Sequence, residues 1–163
     1  MGFLKWFGAV VGAIVLTVLL LDTFGGYLFD GPLGPIPGGA LSGPVNSTEN
    51  PDWSKIGKEL ELEIRPSRPW SLHIWGVVVD GELYSPSAFG AWRRWPKVVL
   101  EDPRVRLRTN GQVYGRLLER VTDPALKKRV GEALAEKYGF DAKKAAADDT
   151  TWYFHYTTQA SQR

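Results

Sequence analysis

The stretch "WSLHIWGVVVDGELYSPS", residues 70–87, decides the fold class. Its residues are β-branched, aromatic or alternating in polarity. The only turn signal inside it is Asp80-Gly81, a pair suited to the positive φ angles of a primed two-residue turn. The stretch therefore reads as two antiparallel strands, 70–79 and 82–87, joined in a hairpin. Upstream, "KELELEIRP" from Lys58 puts Leu60, Leu62 and Ile64 on one face and Glu59, Glu61 and Glu63 on the other. That is the pattern of a half-buried strand, and it predicts a wet glutamate face. Downstream, Asn110-Gly111 marks a second hairpin between "RVRLRT" and "QVYGRLLERV", with Val105 and Leu107 inward and Arg104, Arg106 and Arg108 outward.

Helices are few and peripheral. A short one is predicted within "AWRRWPKVVLEDP". A longer one starts at Asp123-Pro124, an N-cap followed by proline at the first helical position, and ends at Gly139. Leu126, Val130, Ala133 and Leu134 form its apolar stripe. "DAKKAAADD", 141–149, reads as a polar continuation or loop, and "TTWYFHY" as a last strand. Antiparallel strands with segregated helices predict an α+β fold, a small antiparallel split β-barrel with peripheral helices over residues 55–163.

Two segments precede that domain. "WFGAVVGAIVLTVLLL", Trp6–Leu21, carries no charge, and Asp22 is the sole charge before the apolar character ends at Phe29. Residues 1–29 are thus expected to be one transmembrane helix contacting lipid through residues 3–29. The nearest small-x-small site, Ala40 and Ser42, lies too far beyond the apolar run for a cleaved signal peptide. Lys5 before the span, with no Lys or Arg after it until Lys55, predicts a single-pass protein whose domain lies on the extracytoplasmic, periplasmic side. Gly8 and Gly12 form a GxxxG that lets two such helices approach. Residues 30–54, rich in Pro and Gly and without either hydrophobic period, are expected to be an extended tether.

Composition removes several chemistries. Cysteine is absent, which excludes thiolate catalysis and Cys-ligated zinc. Twenty Lys+Arg against 18 Asp+Glu leaves no basic excess for a sequence-independent hold on nucleic acid, so no nucleic-acid partner is expected. There is no GxSxG, no HExxH and no histidine cluster, so neither a hydrolase nor a metal site is predicted. His73 and His155 read as hydrogen-bonded structural residues.

The chemistry-bearing stretch is "ELYSPSAFGAWRRWPKVVLEDP", 82–103. Ser85 and Ser87 end a strand, Gly90 permits close backbone approach, and Arg93, Arg94 and Lys97 surround one helical turn. Hydroxyls, loop amides and guanidinium groups at a helix start suit a phosphate monoester or diphosphate, with Trp92 and Trp95 beside a ring system. The same residues also read as core tryptophans with arginine stems covering the surface. Residue chemistry leaves both readings open.

From Leu72 to Val121 the chain resembles the flavin-binding split-barrel superfamily, the pyridoxamine 5'-phosphate oxidase-like and deazaflavin-dependent nitroreductase-like proteins. The resemblance rests on "HIWGVVVDGELYSPS", on Trp95 followed by Pro103 in "WPKVVLEDP", and on "VRLRTNGQVYGRLLERVTD". It implies flavin mononucleotide, FMN, or less readily deazaflavin, held through its phosphate by Ser85 or Ser87 and by Arg93, Arg94 or Lys97. Trp75 or Trp92 would lie against the ring. It also implies a homodimer with the flavin at the subunit interface, and a membrane-anchored oxidoreductase passing electrons to a small acceptor. Val98 stands where the nitroreductase-like branch often has Asn. That departure supports the alternative of a catalytically silent accessory subunit or ligand-binding module in a membrane complex.

Overall fold

The computed structural model describes residues 2–64, 67–141 and 149–158, with side chains of the first helix described for residues 5–20. Seven strands form one curled antiparallel sheet, a half-barrel accompanied by three helices. The strands are β1 (Glu59–Ile64), β2 (Trp70–Trp75), β3 (Val77–Val79), β4 (Glu82–Ser87), β5 (Arg104–Thr109), β6 (Gln112–Arg120) and β7 (Trp152–Thr157); the helices are α1 (Gly2–Leu28), α2 (Arg94–Glu101) and α3 (Pro124–Tyr138). Across the sheet the order is β2-β1-β5-β6-β7-β4-β3.

The run 70–79 is extended, as its composition predicts, yet it breaks at Gly76, and its halves lie at opposite edges of the sheet. Ile74 pairs with Leu60 of β1, whereas Val77 pairs with Tyr84 of β4. The chain therefore links the two edges covalently, and the sheet must curl to allow it. Glycine leaves room at the crossing: a Cβ on Gly76 would stand 2.4 Å from Leu60 Cδ1, and that side chain would have to shift. Both hairpin turns have positive φ, at Asp80 and Gly81 and at Asn110 and Gly111, as a primed turn demands.

Curling divides the core in two. The concave side encloses the leucines and isoleucine of β1 with Leu107, Leu83 and Phe154, and α2 plugs its open end with Trp95, Val98 and Val99. On the convex side α3 lays Val130 and Leu134 against Val77, Val79, Tyr84 and Tyr153. Asp123 caps α3 by accepting from the Leu126 amide at 2.7 Å, and Gly139 ends it in the left-handed region.

Two expectations change. First, the glutamate face of β1 is wet only at its start, Glu59. Glu63 is only 2% exposed, and its carboxylate accepts from the Leu41 amide at 2.6 Å and from Arg106 at 3.0 Å. Glu61 pairs with Arg108 across the same two strands. Second, the segment read as a tether lies on the barrel as a strap. Gly38 exchanges both backbone bonds with Ser71 at 2.9 Å, and Leu41 is 1% exposed. Val113 donates to Pro44 and accepts from Asn46, and Trp53 inserts its ring edge-on to Tyr114. Two-residue periodicity is the same whether strap or water covers a face, so the sequence alone does not reveal the covering.

Among the described residues, no helix is long and apolar enough to cross a membrane. The described side chains of α1, residues 5–20, are all exposed. The expected anchor extends at both ends into positions outside the described side chains, and most of the loop expected at 141–149 likewise lies outside the described residues.

Candidate functional site

Strands β2 and β4 are not hydrogen-bonded to each other, and the barrel is split between them. A cleft of about 660 Å³ opens there. Its lining brings together Leu72, His73, Ile74 and Trp75 of β2, Ser87 at the end of β4, Arg93 before α2, and Trp95, with Glu59, Phe140 and Asp141 at its far end. Because Ser71 sends its N–H and C=O to Gly38, away from β1, the pleat turns the backbone N–H and C=O of His73 to the same open edge.

Ser85 and Ser87 share the inward face of β4, at different depths. Ser85 is sealed in the core, 3.0 Å from the Tyr156 hydroxyl, and burial pushes that phenol's pKa well above its ordinary value. Ser87 is a lining residue of the cleft but only 3% exposed, and its Oγ, like that of Ser71, is buried without a hydrogen-bond partner. A buried hydroxyl without a partner costs on the order of 1–3 kcal/mol, so such groups in folded proteins generally take a partner from the protein, from water or from a ligand.

The turn after β4 sets Arg93. Phe89 adopts φ +55°, an unusual angle for an aromatic residue, and accepts backbone bonds from Trp92 at 2.8 Å and Arg93 at 3.2 Å. Gly90 lies against the Trp152 ring, where a Cβ would stand 2.3 Å from the ring carbon Cγ, and it donates to Thr150 at 3.0 Å. Arg93 is consequently extended at the N-cap position without a side-chain capping bond, and its side chain reaches the cleft.

Trp75 is the aromatic wall. It is 44% exposed and stacks on Tyr138, centroids 4.5 Å apart and planes 14° apart, with Phe140 at 6.2 Å. Tyr138 is itself held by hydrogen bonds to Gly76 and Lys58, and Lys137 donates to the Gly57 and Gly76 carbonyls at 2.9 and 2.8 Å. Burial lowers the Lys137 pKa and raises that of Tyr138. The C-terminal turn of α3 thus fixes both the Gly76 crossing and the ring beside it.

Of the residues singled out in the sequence, the structure brings Ser87, Arg93 and Trp75 to one cleft. Ser85 faces the core, Lys97 is exposed on α2, and Trp92 is 86% exposed; none of the three lines the cleft. Arg94 lies over the Trp70 ring at 5.4 Å. His73, Phe140, Glu59 and Asp141 join the cleft from segments the sequence leaves unconnected. His155, by contrast, keeps a structural place, stacked on Tyr84 at 4.8 Å and 3.1 Å from Glu82.

Residues 52–159 match the model of a family described as an uncharacterized protein conserved in bacteria, DUF2255. The chain belongs to this family. No curated protein matches the DUF2255 chain in sequence. Among solved structures it is similar to the conserved hypothetical protein Rv2991 of Mycobacterium tuberculosis (TM-score 0.54, 18% identity, 71% of this chain and 86% of that one). It is also similar to Atu2129 of Agrobacterium tumefaciens, of unknown function (TM-score 0.52, 12% identity, 72% and 59%). A FAD-binding protein of Mesorhizobium loti aligns more weakly (TM-score 0.47, 15% identity, 63% and 82%). At these identities the likeness is one of fold, and the fold of this DUF2255 chain is the split barrel.

Proposed function

We propose that the cleft beside β2 binds a flavin carrying at least one phosphate, and that this DUF2255 chain is a membrane-anchored oxidoreductase acting on a small electron acceptor. The observation that carries the reading is the buried, partnerless Ser87 Oγ beside Arg93 and across the cleft from the fixed Trp75 ring. Ser87 and Arg93 would hold the phosphate through a hydroxyl donor and a charge-assisted contact, and Trp75 would wall the ring system. Bound flavin would supply the electron or hydride transfer itself. FMN is the form the sequence resemblance implies; deazaflavin is the lesser candidate.

The electrostatics along the cleft agree. Glu59 and Asp141 line the Trp75 end, whereas Arg93 lies toward the opposite end, so an anionic group is favoured at one end only. The exposed Trp6, Phe7, Ile14 and Leu16 of α1 suit lipid anchorage of the chain, and Lys5 before the apolar run suits a barrel on the extracytoplasmic side. Self-association into a homodimer belongs to the same proposal, and light scattering on the detergent-solubilised chain tests it.

The test of the flavin reading is an absorbance spectrum and FMN titration of the full chain in detergent. A flavin chromophore or saturable uptake is expected, weakened about tenfold in Ser87→Ala or Arg93→Ala, the loss of roughly one good hydrogen bond. Failure of the wild-type chain to take up flavin refutes it. The sealed Ser85 and the carboxylates in the cleft favour the second reading, a silent accessory module of a membrane complex. That reading expects co-purifying membrane proteins and no chromophore.

A further inference from the structure

The cleft has a neighbour. A second cavity of about 410 Å³ lies between the strap and the start of β2, and it shares Leu72, His73, Arg93 and Trp95 with the first. Its own walls are Pro32, Pro35 and Pro37 of the strap on one side and Trp70 with Arg94 on the other. The two compartments therefore meet at Leu72, His73, Arg93 and Trp95 around the open edge of β2, with Trp70 on the core face of the strand and Trp75 on the face toward α3. From Trp75 to Trp70 is five residues, roughly 17 Å at ~3.3 Å per residue.

Chemistry is graded along this line. At one end are Trp75 and Phe140 with the carboxylates of Glu59 and Asp141. In the middle are Arg93, His73, whose backbone N–H and C=O face the open edge, and the largely buried Ser87. At the far end is the flat Trp70 ring with the Arg94 guanidinium 5.4 Å from its centroid, opposite a row of prolines. A mononucleotide would end at the junction and leave the second compartment to water. A molecule with two flat ring systems joined by a diphosphate matches all three zones, with anionic charge at the cations and a ring at either end.

We infer that the ligand of this site is a dinucleotide, flavin adenine dinucleotide in the flavin reading above, whose second base lies between Trp70 and the proline strap. The inference rests on that reading and extends it. It gives residues 32–37, which precede the family match at 52–159, a binding role. The strap is held in place for it by the Gly38–Ser71 pairing and by Arg108, which donates to Asp30 at 2.9 Å and to the Ser42 carbonyl at 3.1 Å.

Titrating the full chain in detergent with FMN and with flavin adenine dinucleotide, followed by flavin fluorescence, tests the inference. The dinucleotide is expected to bind about tenfold tighter or more, the worth of stacking one further base. Arg94→Gln, at an exposed position, and Trp70→Leu are each expected to remove most of that advantage while leaving FMN affinity unchanged. Equal affinity for the two flavins, or variants that weaken both alike, overturns the dinucleotide inference and leaves the flavin reading standing. Binding of neither overturns both.

Discussion

Gly76→Ala tests the element on which the barrel turns. The new methyl would stand 2.4 Å from Leu60 Cδ1, 3.2 Å from Leu60 Cγ and 3.4 Å from Leu83 Cδ1. Ordinary carbon contacts are ~3.5–4.0 Å, so Leu60, buried in the concave core, has to retreat by roughly 1 Å. Overpacking of this kind costs about 1–3 kcal/mol. Gly76 is not among the glycines with positive φ, so alanine also restricts the unfolded chain, which returns about 0.4–1 kcal/mol. The expected net loss is about 1–2 kcal/mol, a fall in Tm of roughly 5–15 °C for a domain near 100 residues. Thermal and urea melts followed by circular dichroism measure it. The partner variant Leu60→Ala alone costs about 2–5 kcal/mol, and in the double variant the Gly76 methyl fills part of that cavity. The two changes should therefore be non-additive by about 1 kcal/mol or more. Wild-type stability in Gly76→Ala, or strict additivity in the pair, refutes the steric account of the crossing.

Other perturbations probe the strap and the site. Gly38→Ala would place a methyl 1.7 Å from the Gly31 carbonyl oxygen, a backbone atom with no rotamer to yield. The strap should open, forfeiting about 1.5–3 kcal/mol of Leu41 burial, and residues 30–48 should become cleavable by protease while the barrel stays folded. Wild-type resistance would contradict this. The Ser42 hydroxyl and amide, with Arg108, hold the Asp30 carboxyl below its ordinary value, so its stabilisation is complete above about pH 4 and is lost as pH falls through the folded value. Amide exchange at Ser42, corrected for intrinsic rates, should lose protection over that acid range, and Asp30→Asn should remove the pH dependence; a flat profile in the wild type argues against the ion pair. Trp92→Ala, at an exposed position, should change stability by no more than about 0.5 kcal/mol and leave flavin uptake intact. Loss of uptake there would move the site away from the cleft.

Hairpin turns, the α3 cap and the inward faces of the strands were legible because each depends on a few consecutive residues: a turn pair, Asp123 before Pro124, an alternation. The site was legible only in part. Ser85 and Ser87 are two residues apart, and the pleat puts both on one face. Which of them is sealed against Tyr156 and which lines the cleft depends on how deep in the barrel each lies. Trp92 and Trp95 are both tryptophans of one short segment, yet Trp95 is turned onto Phe154 in the core and Trp92 toward solvent. His73 gained its place because β2 is an edge strand, a property of the whole sheet. Glu63 of β1 looks solvent-facing until the strap is laid across it.

By itself, the amino-acid sequence determined the strands, their inward faces, the tight turns and the capped helix, because these follow from backbone conformations and periodicities spanning a few residues. Only the tertiary structure decided that a ten-residue extended run divides at Gly76 between the two edges of a sheet. That division leaves β2 open beside Ser87 and Arg93 and allows a proline-rich segment to wall a second compartment. Such outcomes depend on closure of the sheet and on contacts between residues far apart in the chain, for which no local pattern carries a signal.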